Sequence, residues 1–345
     1  MNKIKNALVA ISILFAFTSA NAGELTVSGN METTYNSQGG SVTGNPLGMD
    51  RELKFSGSTE LDNGMTVTVM QDTSDNLGYG NSQISFGNIS IPYVGATTIY
   101  VGSDHDPIDS VDDVTPSAYE EANGSGSGTY KDIGSLAGQM GIGAKLALPY
   151  GVNVNTKYYK KPDGVKNSDN ANSADASSNV KAATSTVVTM DLGAIDAAAE
   201  NLKLTLGYAE ADRNAENVSA STDMDEMTAA FNYAYGPVKA GIQKKVNSIG
   251  ADSGSLVRHH TTILGLAFAV NDQLSISVNR YTDKKQSSLT AQAEQETDAI
   301  NIGYTMGGMT LAISQTEVDG DGYTKESTTL LQKATQTLFA VSMAF

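Results

Sequence analysis

A strict alternation of apolar and polar residues is the feature that most constrains how this chain folds. The alternation has a period of two and recurs in many separate segments, of which Leu25–Tyr35 and Leu202–Tyr208 are typical. Successive side chains of a β-strand point to opposite faces, so each segment predicts a strand with one apolar and one polar face. About 9–11 residues suffice for a tilted strand to cross a bilayer, and most segments reach that length.

The connections between these segments form two classes that alternate along the chain. Seven are short, of which six are rich in turn residues, at 62–64, 92–95, 149–151, 235–237, 270–272 and 307–308, and a seventh, at 193–201, is somewhat longer. Eight are long and polar, at 36–48, 72–80, 103–138, 160–182, 210–222, 247–257, 282–293 and 317–332. Fifteen connections join sixteen strands, and an outer-membrane barrel has short turns on one side and long loops on the other. A β-sandwich has no such difference between its two ends.

We therefore predict an all-β fold, a 16-stranded antiparallel transmembrane up-and-down β-barrel with short periplasmic turns and long extracellular loops. The alternation continues to the last residue, through Phe339, Val341, Met343 and Phe345. An even strand number lets this final strand pair with the first. That pairing is required because an open sheet edge in lipid would leave backbone groups without hydrogen bonds.

The first residues predict export. Lys3 and Lys5 precede an apolar run over 7–17, and small residues follow at 20–22. The run is shorter than the roughly 20 residues that a membrane-spanning helix needs, which argues against an N-terminal anchor. We predict a signal peptide at 1–22 and a single barrel domain at 23–345.

The composition excludes several classes of protein. The chain has no cysteine, so disulfides and thiolate chemistry are ruled out, and its net charge of −16 makes nucleic acid a poor partner. It has 15 tyrosines and no tryptophan, so we expect tyrosine and phenylalanine to form the interfacial girdle. The three histidines, His105, His259 and His260, have no nucleophile motif beside them, and the adjacent pair must point to opposite faces of a strand. We predict no enzymatic activity and no cofactor.

Four stretches carry a resemblance to a known family. They are "ELTVSGNMETTY", "LKFSGSTELDNGMTVTV", "IYVGSDHDPIDS" and the terminal "FAVSMAF". In this order over the full length, the chain resembles the Gram-negative general diffusion porins. The resemblance implies a homotrimer of water-filled barrels among outer-membrane lipid and lipopolysaccharide, passing small hydrophilic solutes. It also implies that Phe339, Val341, Met343 and Phe345 form the signal read by the outer-membrane assembly machinery.

The third long loop, 103–138, contains the densest group of acidic residues: Asp104, Asp106, Asp109, Asp112, Asp113, Glu120 and Glu121. The resemblance implies that this loop folds inward and narrows the pore. Carboxylates around a narrow passage favour cations. Two alternatives are an ordinary solvated extracellular loop and a calcium site, although the loop lacks the ligand spacing of an EF-hand.

Basic residues opposite that loop are few. Relatives in the family place a ladder of basic side chains there, but this chain has four arginines, Arg51, Arg213, Arg258 and Arg280. Lys54 has inward parity on the second strand, whereas Arg51 has outward parity. Five lysines on later strands also have inward parity, and we expect most to be solvated: Lys145, Lys157, Lys203, Lys239 and Lys245. The sequence therefore predicts an acidic lumen more firmly than it predicts an electric field between an acidic loop and a basic wall.

Together these patterns predict an outer-membrane porin, a passive and cation-preferring diffusion channel. A substrate-selective outer-membrane channel and a β-rich surface adhesin are the alternatives.

Overall fold

The computed structural model is a closed antiparallel β-barrel of sixteen strands. It describes residues 25–38, 44–73, 79–92, 94–103, 106–120, 122, 140–160, 180–213, 224–249, 257–287, 293–320, 323 and 334–345. The predicted signal peptide, 1–22, lies outside these residues. Within them, no helix has the length and apolar character needed to cross a lipid bilayer.

Each strand pairs antiparallel with the next strand in the chain, and the last pairs with the first. The strands are β1 (Leu25–Gln38), β2 (Leu47–Glu60), β3 (Thr66–Thr73), β4 (Tyr79–Ile91), β5 (Val94–Gly102), β6 (Gly141–Leu148), β7 (Val152–Lys160), β8 (Val180–Asp191), β9 (Leu202–Arg213), β10 (Met224–Tyr235), β11 (Val238–Ile249), β12 (Val257–Ala269), β13 (Leu274–Ser287), β14 (Ala293–Met306), β15 (Met309–Asp319) and β16 (Ala334–Ala344). The fold predicted from the sequence is confirmed.

The barrel closes between its two terminal strands. β16 pairs with β15 on one side and with β1 on the other, where Asn30 lies opposite Ala344. The final residue takes part, because the Phe345 N–H donates to the Gly29 carbonyl (3.0 Å) and the Gly29 N–H donates to the Phe345 carbonyl (2.9 Å). The last strand is thus hydrogen-bonded along both edges, as closure in lipid requires.

Side chains alternate between the outside and the lumen as the sequence predicts. On β12, Leu264 and Leu266 are exposed on the outer face, whereas Thr261 and Ile263 are buried inside. The adjacent histidines follow the same rule, with His259 inside and His260 outside. An exposed apolar outer surface is what a lipid-facing barrel presents.

Several strands extend further than the sequence suggested. The long connection expected over 282–293 shrinks to 288–292, since β13 and β14 are each 14 residues long. The ends of β13 and β14 next to this connection are polar but remain paired. Lys284 lies opposite Glu294, and its Nζ is 3.3 Å from a carboxylate oxygen of Glu294. Polar composition suggested a loop here, but hydrogen bonding between the strands continues above the apolar band.

Candidate channel constriction

The loop between β5 and β6 lies inside the barrel and begins against β8 and β9. The Ile108 N–H donates to the Ser185 hydroxyl on β8 (3.0 Å), and the Ile108 side chain is completely buried. Val111 is buried in the same apolar cluster, whose wall members are Tyr159, Ala183, Val187, Ala209 and Ala211. Burial of two apolar side chains therefore fixes the first described part of the loop to the wall.

The middle of the loop is held by amide side chains of β10 and β11. The Gln243 side-chain oxygen accepts from the Val114 N–H (2.8 Å), and its nitrogen donates to the Val111 carbonyl (2.7 Å). The Asn232 amide donates to the Val114 carbonyl (2.8 Å). These bonds satisfy loop backbone groups that have left the extracellular water, which is the condition for burying an irregular segment.

The loop continues along β13 and β14 and ends at β1. Asn279 donates to the Pro116 carbonyl (3.0 Å), and Asn301 donates to the Glu120 carbonyl (3.0 Å). The Tyr119 hydroxyl then donates to Glu32 on β1 (2.8 Å). Burial, the hydrogen bond to Glu32 and the nearby charge of Glu120 raise the pKa of Tyr119, so its hydroxyl remains a donor at neutral pH.

Glycines on the inner face make room for this path. A Cβ atom at Gly265 on β12 would lie 2.7 Å from the Pro116 carbonyl oxygen, closer than van der Waals contact permits. A Cβ atom at Gly303 on β14 would likewise overlap the Ala118 carbonyl oxygen. The loop backbone thus lies directly on the strand backbone at these two places.

The predicted acidic residues occupy different environments in the loop. Asp106 is buried and accepts from the Ile108 N–H (3.2 Å), whereas Asp109 is exposed. Asp112 accepts from the N–H of Asp113 (2.7 Å), Asp113 accepts from Thr115, and Glu120 is half-buried. Asp104 and Glu121 lie outside the described residues. Among the acidic residues of this loop that the structure describes, Asp109 is therefore the most exposed.

The inner face of β1–β3, which we term the open wall, carries charged side chains at the level of Tyr119. Glu32 faces inward because Tyr119 reaches it, and its cross-strand partner Asp50 therefore faces inward as well. By the same parity Glu52 and Lys54 face the lumen, and Lys54 lies opposite Asp72. Arg51 has outward parity, as expected. In place of a basic ladder, β2 and β3 present more carboxylates than lysines.

The sequence matches the family described as Gram-negative porin over residues 7–323. The chain belongs to that family. As a porin, the protein lies in the outer membrane of a Gram-negative bacterium.

Solved porin-like structures share the fold at low sequence identity. A loop L8 deletion mutant of OmpT, an outer membrane protein of Vibrio cholerae, superposes with a TM-score of 0.68 at 10% identity and covers 94% of this chain and 100% of its own. An anion-selective porin from Comamonas acidovorans gives 0.65 at 13% identity, covering 94% and 100%. A trimer form of in-vitro folded OmpT gives 0.65 at 9% identity, covering 94% and 100%. These likenesses support the fold alone, and a search of curated proteins found no significant match.

Three of the five inward lysines of this porin, Lys145, Lys203 and Lys239, are exposed, in line with the prediction that most are solvated, but the other two are not. Lys157 and Lys245 are buried, with 1% and 2% of their surfaces exposed. The Lys245 ammonium lies 5.3 Å from the centre of the Tyr281 ring, and the Lys145 ammonium lies 5.6 Å from the centre of the Tyr100 ring. Aromatic faces inside the barrel stabilise these cations, which sequence parity alone does not reveal.

We did not predict the residues that hold the loop, although the sequence contains a signal for them. Asn232, Gly241, Gly265 and Asn279 are cross-strand partners in one continuous row over β10–β13, all on the inner face. A row of amides and glycines at one level of a barrel wall marks a surface that can receive another segment of backbone. Within the described part of the chain, no group of three or more histidine or acidic side chains is placed to hold a metal ion.

Proposed function

We propose that this porin is a passive diffusion channel for ions and small hydrophilic solutes, with a preference for cations. The observation that supports it is the position of the third loop, whose residues 106–120 lie on the inner wall and reach from β8 to Glu32. A loop in this position narrows a water-filled lumen. The mechanism requires no catalytic residue and no cofactor, and a closed barrel with an occupied interior favours a channel over a surface adhesin.

The charge preference follows from the residues beside the narrowed lumen. Four carboxylates face the lumen here: Asp109 on the loop and Asp50, Glu52 and Asp72 on the open wall. Lys54 is the one inward cation on β2. Low-dielectric walls focus such charge, which enriches cations and depletes anions in the passage. We propose that the loop acids, Asp104, Asp106, Asp109, Asp112, Asp113, Glu120 and Glu121, contribute to this field together with the open wall.

A reversal potential across a KCl gradient tests the preference. Wild-type channels should be cation-selective, most strongly at low salt, where screening is weakest. The combined change Asp50→Asn, Glu52→Gln and Asp109→Asn should move the reversal potential toward zero. Glu296→Gln is the matched control, because Glu296 lies on the outer face of β14 beside Arg280. Anion-selective wild-type channels, or a triple variant identical to wild type, would overturn the proposal.

Assembly follows the family pattern in this proposal. We propose a homotrimer, surrounded by outer-membrane lipid and lipopolysaccharide, whose terminal residues Phe339, Val341, Met343 and Phe345 are read by the outer-membrane assembly machinery. All four side chains are exposed on the outer face of β16 or just beyond it, where a receptor could contact them. Phe345→Ser should lower the amount of heat-modifiable barrel in the membrane, while Thr337→Ser on the same face should not. Normal amounts of the Phe345→Ser barrel would contradict this role.

A substrate-selective channel is the second candidate. It is favoured by one observation, a recess beside the loop that is lined by Lys145 and Lys203.

A further inference from the structure

A recess opens in the lumen wall beside the third loop. Its volume is about 460 Å³, within the range of about 300–1,000 Å³ that is usual for small-molecule sites. The loop contributes Val111 and Val114, and the wall contributes inward side chains of β5–β9, among them Lys145 and Lys203. The recess is therefore formed jointly by the barrel and the folded-in loop.

The recess is basic, although the chain as a whole has a net charge of −16. Among the described residues, its lining contains Lys145 and Lys203 and no acidic side chain. Asp191 is the cross-strand neighbour of Lys203, but its carboxylate accepts from the Gly193 N–H (3.0 Å) in the turn after β8. Neither lysine forms a salt bridge within the described part of the chain, so both ammonium groups can bind an anion.

Neighbouring side chains position one of these cations. The Lys145 ammonium lies over the Tyr100 ring, and the Tyr100 hydroxyl donates to the amide oxygen of Asn155 (3.0 Å). Tyr100 is almost completely buried, so its ring is a fixed platform. Asn155 lines the same recess and adds an amide group beside the ammonium. The side chains that would bind an anion are thus partly ordered before binding, which lowers the entropic cost of binding.

We propose that this recess binds small organic carboxylates. The lysines supply charge-assisted hydrogen bonds to the carboxylate, and Val111, Val114 and Val187 contact the apolar body of the solute. This inference rests on the proposed channel function and adds a class of solute to it.

The position of the recess determines the side from which it fills. Its β6 and β7 members lie next to the short periplasmic turn at 149–151, and Lys203 lies next to the turn at 192–201. The acidic passage beside Asp50 and Asp109 repels anions that approach from outside. Carboxylates therefore reach the recess from the periplasmic side.

Current block by succinate tests this inference. Succinate added on the periplasmic side of oriented channels should reduce the KCl current at a lower concentration than succinate added outside, and neutral succinamide should have no effect on either side. Lys145→Gln and Lys203→Gln should each raise the half-blocking concentration about tenfold, the loss expected for one charge-assisted hydrogen bond. Lys203→Arg should retain most of the block. Lys239→Gln is the matched control, because Lys239 is an inward lysine on β11 that does not line the recess.

The outcomes separate this inference from the function on which it rests. Channels that conduct KCl but are not blocked by succinate, or are blocked equally by succinamide, overturn the carboxylate site alone. A stronger block by inorganic phosphate than by succinate overturns the assignment to organic anions, since phosphate has no apolar body. A lysine-to-glutamine variant that conducts KCl normally and keeps the wild-type block also overturns the site. A wild-type protein that conducts no ions overturns the channel function and this inference with it.

Discussion

The inner face of this barrel has two walls that differ in almost every respect. From β8 to β14, which we term the covered wall, the side chains that meet the loop are neutral, buried and bonded to its backbone, as Gln243, Asn279 and Asn301 show. On the open wall of β1–β3, several inward side chains are charged, as at Asp50 and Glu52. The contacts that hold the middle of the loop and the carboxylates proposed to set the ion preference thus lie on different strands.

The division has a physical reason. A buried amide can satisfy a loop carbonyl or N–H without desolvating a charge, and desolvating an unpaired charge is far more costly than burying a hydrogen-bonded amide. Carboxylates beside a water-filled passage remain hydrated and still act on mobile ions through the low-dielectric wall. Changes on the covered wall should therefore alter loop position and stability, whereas changes at the inward carboxylates of β2, which make none of the hydrogen bonds that hold the described part of the loop, should alter ion preference.

The largest effect on conductance is expected at Gly265, where the loop backbone and the strand backbone touch. Gly265→Leu places a side chain where the Pro116 carbonyl lies, and overpacking of this kind costs about 1–3 kcal/mol even where some relaxation is possible. We expect the loop to leave the wall and the single-channel conductance in KCl to rise. Gly57→Leu is the control, because nothing lies within 4 Å of a Cβ atom there. Unchanged conductance in a folded Gly265→Leu barrel would show that the loop does not narrow the pore.

The next effect is expected at Gln243, the central contact of the covered wall. Gln243→Ala leaves the Val114 N–H and the Val111 carbonyl without their side-chain partner, at a cost of about 1–3 kcal/mol for each buried group left unsatisfied. Limited proteolysis should then cut the loop faster, while the reversal potential stays cation-selective. Gln315→Ala, on the exposed outer face of β15, should match wild type. Equal cleavage rates in the two variants would argue that Gln243 does not hold the loop.

A smaller effect on stability, but a clear one on selectivity, is expected on the open wall. Asp50→Lys should shift the reversal potential toward anion selectivity with little change in resistance to SDS, because Asp50 is exposed. Arg51→Glu changes the adjacent residue, which has outward parity, and should leave selectivity unaltered. Loss of the heat-modifiable barrel in the Asp50→Lys variant would contradict the proposal that the two walls have separate roles.

The smallest effect is expected where the loop meets the open wall. Because the pKa of Tyr119 is raised above its usual 10.0, its contribution to loop stability is present below pH 10.0 and declines as the pH rises above that value. Tyr119→Phe removes both the bond to Glu32 and this decline. Proteolysis of the loop in the wild type should therefore accelerate above about pH 10, where free tyrosine ionises, and that of the variant should not. Parallel pH curves would exclude Tyr119 as the anchor.

The barrel itself was predictable because its rules are local. Strand periodicity and alternating turn lengths gave sixteen strands, and parity alone placed Arg51 outside and Lys54 inside. The path of the loop was not predictable, because contacts such as Val114 with Gln243 join distant parts of the chain and use ordinary polar residues. Burial of Lys157 escaped prediction for the same reason, since inward parity does not say whether water or another segment fills the space.

The pairing of Gly29 with Phe345 sets a condition on biogenesis. β1 and β16 are separated by fourteen intervening strands, so the contact that seals the cylinder cannot form until β16 has been synthesised and exported. Contacts of such high sequence separation form slowly and leave sheet edges exposed in the meantime. A chain that lost β16 would leave one edge of β1 unpaired and would remain an unsealed sheet. In this protein, closure of the cylinder therefore requires every strand from β1 to β16 to be present.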